Sequence, residues 1–263
     1  MVFFEIDPIE PVADAVSILS KFSEKCHFKW TPLSFSVVVS RNRPLCISAI
    51  KMLPKMFIRF YCRRCYEVTF NIADFFVIMS YLRRMGVSSL SFCMPTTPTN
   101  QSCITLKYRI PCQEDPFNKK ELPMSIVAEP VDVGDVDYGS FFVSMALEEF
   151  RCVVNDMENA AYVPVTITSS RIKFVALIDH WETSFTTKEG ECIIGGIEEG
   201  QEIKCGISLY PMKFYKAFTS KRVWFFSSCD TNGLLLIAPM GVYTHISSFF
   251  PQEIISYVRN TFT

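Results

Sequence analysis

Residues Phe60–Arg84 read FYCRRCYEVTFNIADFFVIMSYLRR, two short extended segments running into one amphipathic helix. The first segment covers Arg59 to Tyr61, and the second, Tyr66 to Phe70, follows a basic turn. Asn71 suits the N-cap, because its side-chain oxygen can accept a free backbone N–H of the first turn. Ile72, Phe75, Phe76, Met79 and Leu82 recur at helical spacing and predict one apolar stripe lying on a sheet. Arg83 and Arg84 close the last turn, where positive charge suits the helix dipole.

Cys62, Arg64 and the pair Asn71-Ile72 stand where the proliferating cell nuclear antigen family of sliding clamps has the C, R and N-L of its Y-R-C-D-R-N strand end and following helix. The stretch resembles that family, with Val77 and Ser80 at positions where the family has lysines.

Working outward, the 263 residues make one large domain or two of about 130 on length alone. An apolar share of 49% against 20% charged is enough for a full core. No window approaches the roughly 18 to 20 apolar residues of a membrane helix. The start, MVFFEIDPIE, carries acids early and has no basic region, unlike a signal peptide. A net charge of −1 excludes a protein that grips nucleic acid by bulk charge. The 11 scattered cysteines read as reduced thiols in an intracellular compartment, not as a disulfide framework. Cys62 and Cys65 form one C-x-x-C, but a structural zinc site wants a second pair at similar spacing. No metal or other cofactor is expected.

In the first half, Phe3 to Ile6 reads as a strand and Pro8 as a helix start. Val12, Ala15, Val16, Leu19 and Phe22 form a helix face, with Asp14, Lys21 and Lys25 on the surface. Strands are expected at 26–31, 34–40, 45–50, 56–61, 88–93 and 103–108, punctuated by Pro32, Asn42, Pro44 and Pro54. Residues 94–102, MPTTPTNQS with its accidental glycosylation match at Asn100, read as a loop. From Pro111 to Gly139 the chain turns polar and acidic: the polar part, QEDPFNKKELP, contains a loop, Met124 to Val127 reads as an edge strand, and the rest as a linker.

The second half repeats this plan. Phe141 to Val143 opens as a strand, and Leu147, Phe150, Val153, Val154 and Met157 form a helix face opposite Glu148, Arg151 and Asn155. Strands are expected at 162–167, 171–177, 181–186, 191–194 and 201–208. A helix from Leu209 to Thr219, with Phe214 and Phe218 inside, precedes strands at 222–228, 233–238 and 241–247. Matching strands lie 65 positions apart from Phe3 to Val68, and 62 apart from Phe141 to Ile203.

Further motifs of the second half are similar to the clamp family in order and spacing. EEFRCVVND matches G-E-F-x-x-I-x-R-D-L at Glu149, Phe150 and Asp156. YPMKFYKAF matches R-Y-L-x-x-F-T-K-A at Tyr210, Phe214, Lys216 and Ala217, and Met240-Gly241 and Pro251 echo the closing M-G and Y-Y-L-A-P. The resemblance implies an α+β fold of two topologically similar clamp domains, 1–120 and 140–263, joined by a connector at 121–139. Each would place antiparallel sheets outside and two helices along a central hole in a ring of three subunits.

No catalytic constellation stands out: His27, His180 and His245 lack a nucleophile at a recognised spacing, and each reads as a strand residue. Gly195, Gly196 and Gly200 read as turns, not as a phosphate loop. By resemblance, Lys21, Arg83, Arg84, Arg151, Lys213 and Lys216 would meet the phosphates of duplex DNA without reading sequence. Val77, Ser80, Cys152 and Asn155 stand where the family has basic residues, so the lining should hold DNA weakly. Leu45, Ile47, Val131, Val133, Val136, Phe249 and Phe250 would wall a pocket for a partner's peptide, Ile47 also completing the core, and Ser40 replaces a pocket methionine.

The function so implied is a nuclear processivity factor for replication and repair, not an enzyme, that encircles DNA and tethers polymerases and other clamp-binding proteins after opening by a clamp loader. The assembly would be a homotrimer. One alternative is a subunit of the heterotrimeric DNA-damage checkpoint clamp, and another, of a different class, is a small cytosolic enzyme with a cysteine nucleophile. Ring closure predicts pairing of Phe174 to Asp179 with Cys103 to Tyr108 of a neighbour, since unpaired edges invite partners.

Overall fold

Short strands with alternating buried and exposed side chains dominate the molecule, the pattern of antiparallel sheets covered on one face. The computed structural model describes residues 2–42, 45–94, 102–111, 118–126, 133–158, 160, 162–178, 180–229 and 233–251, with Leu45 in its backbone alone. The chain divides into two compact units, one of residues 1–40, 49–132 and 240–246, the other of 41–48, 133–239 and 247–263.

The first half of the chain runs β1 (Val2–Ile6), α1 (Glu10–Leu19), β2 (Lys25–Thr31), β3 (Ser34–Asn42), β4 (Leu45–Met52), β5 (Arg59–Tyr61), β6 (Tyr66–Asn71), α2 (Ile72–Arg84), β7 (Leu90–Met94), β8 (Cys103–Tyr108), β9 (Asn118–Pro123) and β10 (Ser125–Ile126). The first unit holds a five-stranded sheet, ordered β5-β1-β7-β8-β9, and a run ordered β10-β6-β2-β3. Phe4 of β1 stacks on Phe92 of β7 with centroids 4.3 Å apart. Phe75 of α2 meets Phe28 of β2 at 5.2 Å and Phe92 at 6.1 Å, so α2 seals aromatic side chains from both layers.

The expected cap is present: Asn71 Oδ1 accepts the Ala73 N–H at 2.8 Å. Ile72, Phe75, Met79 and Leu82 are buried, but Phe76 is 36% exposed. One residue turns the helix by about 100°, which carries Phe76 off the stripe that Phe75 defines. Helix α1 ends at Leu19, and Phe22 is buried in the turn beyond it. Lys21 therefore lies in that turn and Lys25 in β2, while Pro11, not Pro8, occupies the first helical turn.

The second half runs β11 (Val136–Ala146), α3 (Leu147–Asp156), β12 (Val163–Ile167), β13 (Ile172–Ile178), β14 (Trp181–Thr186), β15 (Ile193–Gly195), β16 (Ile203–Ile207), α4 (Met212–Lys216), β17 (Arg222–Ser228), β18 (Gly233–Pro239) and β19 (Thr244–Pro251). The second unit holds a sheet ordered β14-β13-β12-β16 and a run ordered β18-β17-β11-β15. Phe150 of α3 meets Tyr215 of α4 and Phe225 of β17, each at 6.1 Å. In both halves a strand and a helix lead to five strands and then a second helix.

Three expectations change. The polar segment read as a loop contains β9, whose pattern leaves only Leu122 buried and so hides it from a search for apolar alternation. Strand β11 begins at Val136, inside the expected connector, and continues to Ala146. The strands expected to pair between subunits are interior ones. Strand β8 lies between β7 and β9, and β13 between β12 and β14, so both ladders are already filled on each side. The edge strands next to them are β9 and β14, and β5 and β16 are the opposite edges of the same two sheets. Asp179, the last residue of that expected pairing, lies outside the described residues.

Candidate nucleic-acid and partner-binding faces

The buried stripe of each helix fixes which residues face away from the core. On α1 these are Glu10 and Asp14, and on α2 they include Asp74, Val77, Ser80, Arg83 and Arg84. Arg83 Nη1 lies 2.7 Å from Asp14 Oδ1, an exposed ion pair that joins the two helices and neutralises one of the expected cations. Arg84 and, beyond α1, Lys21 are exposed and form no ion pair among the described residues.

In the second unit Arg151 is mainly a structural residue. Its Nη1 lies 2.7 Å from Glu148 Oε1, and its Nη2 donates to the Phe218 carbonyl oxygen at 2.7 Å, tying α3 to the chain just after α4. Lys213 and Lys216 are exposed on α4, and Cys152, Asn155 and Asp156 are exposed on α3. The four helices carry six carboxylates, from Glu10 to Asp156, against five cations. Helices so balanced give little counterion release on their own.

Most side chains expected to wall the peptide pocket lie in the second unit. Val133, Phe249 and Phe250 are 5%, 6% and 3% exposed, whereas Ile47 and Val136 keep partial surface. The ring of Phe249 covers Gly233 so closely that a Cβ there would sit 2.2 Å from it. Val133 and the two phenylalanines therefore contribute to the core. Val131 and the Leu45 side chain lie outside the described residues. At the start of the YPMKFYKAF motif the half-exposed Tyr210 carries the Arg41 guanidinium 4.2 Å above its ring, a pairing that no local motif announces.

Burial pushes the Cys46 and Cys205 thiols up to about 12 and holds Cys26 well above its ordinary value. Cys62, Cys93 and Cys192 are raised as well, again chiefly by burial. These shifts run away from the thiolate that a nucleophile needs. His27 and His245 lie in strands as expected, but His180 occupies a turn at φ 71°. Gly196 and Gly200 adopt positive φ in turns, whereas Gly195 ends β15. No group of three or more His, Cys, Asp or Glu among the described residues is placed to hold a metal. No described helix is long and apolar enough to cross a membrane.

No protein-family model matches the chain, and no curated protein does. Its fold is of the sliding-clamp type. Among solved structures it is similar to the Proliferating Cellular Nuclear Antigen of Entamoeba histolytica, with a TM-score of 0.71 over 95% of this chain and 98% of that one, at 14% identity. The likeness thus extends through both units while few side chains are shared.

Proposed function

We propose that this chain is a subunit of a DNA sliding clamp, which encircles duplex DNA and tethers polymerases and other clamp-binding proteins without catalysing a reaction. The observation that carries the reading is the repeated plan, in which each unit sets two helices against antiparallel sheets in the arrangement of a known clamp protein. The reading places the protein in the nucleus, with a clamp loader to open the ring. On this reading edge strands β9 and β14, which lie beside the strands first expected to pair, would pair with a neighbouring subunit. Strand β14 begins at Trp181, 79% exposed, which burial in a subunit contact would cover.

The homotrimer is tested by native mass. Three times 30.1 kDa is expected, falling to one when Trp181→Glu and Thr183→Pro block the edge, since proline withdraws an N–H and charge resists burial. A wild-type monomer at high concentration counts against self-assembly. It would move the reading to a subunit of a heterotrimeric checkpoint clamp, which the near balance of charge on the helices favours, because unlike subunits can share the cationic lining.

DNA contact is tested on rings loaded onto closed circular DNA. Arg84→Glu with Lys216→Glu should shorten retention with ring mass unchanged, and each lost phosphate contact should lower the salt slope of binding by roughly 0.9. Unchanged retention removes these residues from the DNA face. Sequence-specific binding by the wild type would remove the clamp reading altogether.

A further inference from the structure

Cys62 and Cys65, the two cysteines closest in sequence, belong to none of the faces described above. Their C-R-R-C tetrapeptide makes the connection from β5 to β6 in the first unit, with bends at Arg63 and Arg64. Strand β5 is an edge of the five-stranded sheet, beside β1, whereas β6 lies between β10 and β2. The turn therefore passes the chain from one sheet to the other, and β6 leads directly into α2.

The Cys62 side chain reaches across this turn. Its Sγ donates to the Arg64 carbonyl oxygen at 2.9 Å, and that carbonyl belongs to the peptide bond joined to Cys65. The dimensions of a trans peptide then put Cys62 Sγ within about 6 Å of the Cys65 Cα. Side-chain rotation and a slight closing of the turn are enough for the thiols to meet. The two already feel each other. Burial raises the Cys62 thiol, its contact with the Arg64 backbone opposes this, and charge on Cys65 raises it further. Cys62 is half-buried and Cys65 exposed, which pairs a thiol open to solution with a sheltered one able to resolve its product. Two thiols fall short of the four ligands of a structural zinc site, and no metal-holding group of three or more exists among the described residues.

We propose that Cys62 and Cys65 are a modification site, at which a small-molecule disulfide such as glutathione disulfide converts them to a reversible intrachain disulfide. Cys65 loses its proton and attacks one sulfur of glutathione disulfide. A Cys65–glutathione bond forms, the original S–S bond breaks, and the first glutathione leaves and takes up a proton. Cys62 then loses its proton and attacks Cys65 Sγ, and the second glutathione leaves in the same way. Two protein thiols are oxidised, and one glutathione disulfide is reduced to two glutathiones. Once Cys65 is in the mixed disulfide, it no longer carries the charge that opposes ionisation of Cys62. The product replaces the S–H contact to Arg64 with a covalent tie between the end of β5 and the start of β6. The site rests on no part of the clamp reading.

The test is to hold the full, folded chain in glutathione buffers of set composition, quench by alkylation, and weigh the tryptic peptides. Trypsin cuts after Arg63 and after Arg64, so the disulfide holds peptides 60–63 and 65–83 together until reduction separates them. The linked pair should be half-formed at a [GSH]²/[GSSG] of about 1 mM or more, the effective concentration of a short tether. Cys62→Ser should instead keep one glutathione on Cys65. Cys65→Ser should take up glutathione on Cys62 at least about tenfold more slowly than Cys62→Ser does on Cys65. The melting temperature reports that each variant is folded. Absence of the linked pair from wild type in glutathione disulfide alone overturns the proposal. So does glutathione retained on Cys65 of the wild type, or a linked pair that forms only in denaturant. Equal rates in the two serine variants would overturn the assignment of Cys65 as the attacking thiol. Native mass of the oxidised and reduced samples reports separately on the clamp reading.

Discussion

The two units solve one problem, holding a helix pair against sheets, by different means. In the first, α2 is 13 residues long, capped by Asn71 and closed by two arginines, and its link to α1 is an exposed ion pair. In the second, α4 is five residues long and has no side-chain cap. Its hold comes from a cluster of Phe214, Tyr215 and Phe218, with centroids 4.9 to 5.7 Å apart, and from Arg151 on the Phe218 carbonyl. A short helix cannot be stable by its own hydrogen bonds, so tertiary contacts must supply what length and capping supply in α2. The repeat is therefore one of topology, not of the interactions that maintain it.

The largest effect should come from emptying the helix-to-sheet core. Phe75→Ala and Phe150→Ala should each cost roughly 3–5 kcal/mol, because both rings are fully buried. Chemical denaturation followed by hydrogen exchange should show loss of protection confined first to the unit that carries the change. Loss of both units together, in either variant, would erase the distinction between them.

Much of this contrast was legible in the sequence, for stated reasons. Helix α2 announced its cap and stripe locally, and the 3.6-residue period of α3 placed Leu147, Phe150, Val153 and Val154 in the core. The apolar period continues past Lys216 and so predicts a longer α4 than the five residues found, while the aromatic cluster that holds it acts through tertiary structure. Polar β9 carries little β-propensity and gave no signal. The acidic run before Val136 likewise hid the burial of Val133. Among the candidate DNA-facing residues, charge was visible but pairing was not. Arg83 finds Asp14 from 69 residues away, and Arg151 finds a backbone carbonyl 67 residues away.

A smaller effect sharpens that last contrast. Arg151→Ala should cost about 1–3 kcal/mol, because it strips a part-buried carbonyl of its donor. Arg83→Ala should cost no more than about 1 kcal/mol, the usual worth of an exposed ion pair. Thermal denaturation of the two variants in low and high salt distinguishes the cases, since salt should nearly erase the Arg83 effect and leave most of that of Arg151. Equal losses would show that the first unit depends on its ion pair more than exposure implies. Between the two, Asn71→Ala should cost about 1 kcal/mol as a lost helix cap, with fraying detectable by exchange at Ala73.

The smallest effect is one of pH, and it too should divide the units. His27 and His245 both belong to the first unit. Burial lowers the pKa of His27, with Glu67 partly opposing, and burial together with Lys51 lowers that of His245. In the unfolded chain both rings protonate near the ordinary 6.5. The folded state therefore binds fewer protons than the unfolded one as pH falls below that value. Stability from the neutral rings is complete above pH 6.5 and declines as pH falls toward and through their folded values. His27 Nδ1 also lies 3.1 Å from Thr69 Oγ1 across β2 and β6, so substitution must preserve a polar partner. Replacing both with glutamine should flatten the decline between about pH 7 and pH 5, measured by denaturant titration at each pH. Exchange should locate the wild-type loss in the first unit. An acid-labile second unit, or an undiminished decline in the double variant, would place the responsible groups elsewhere.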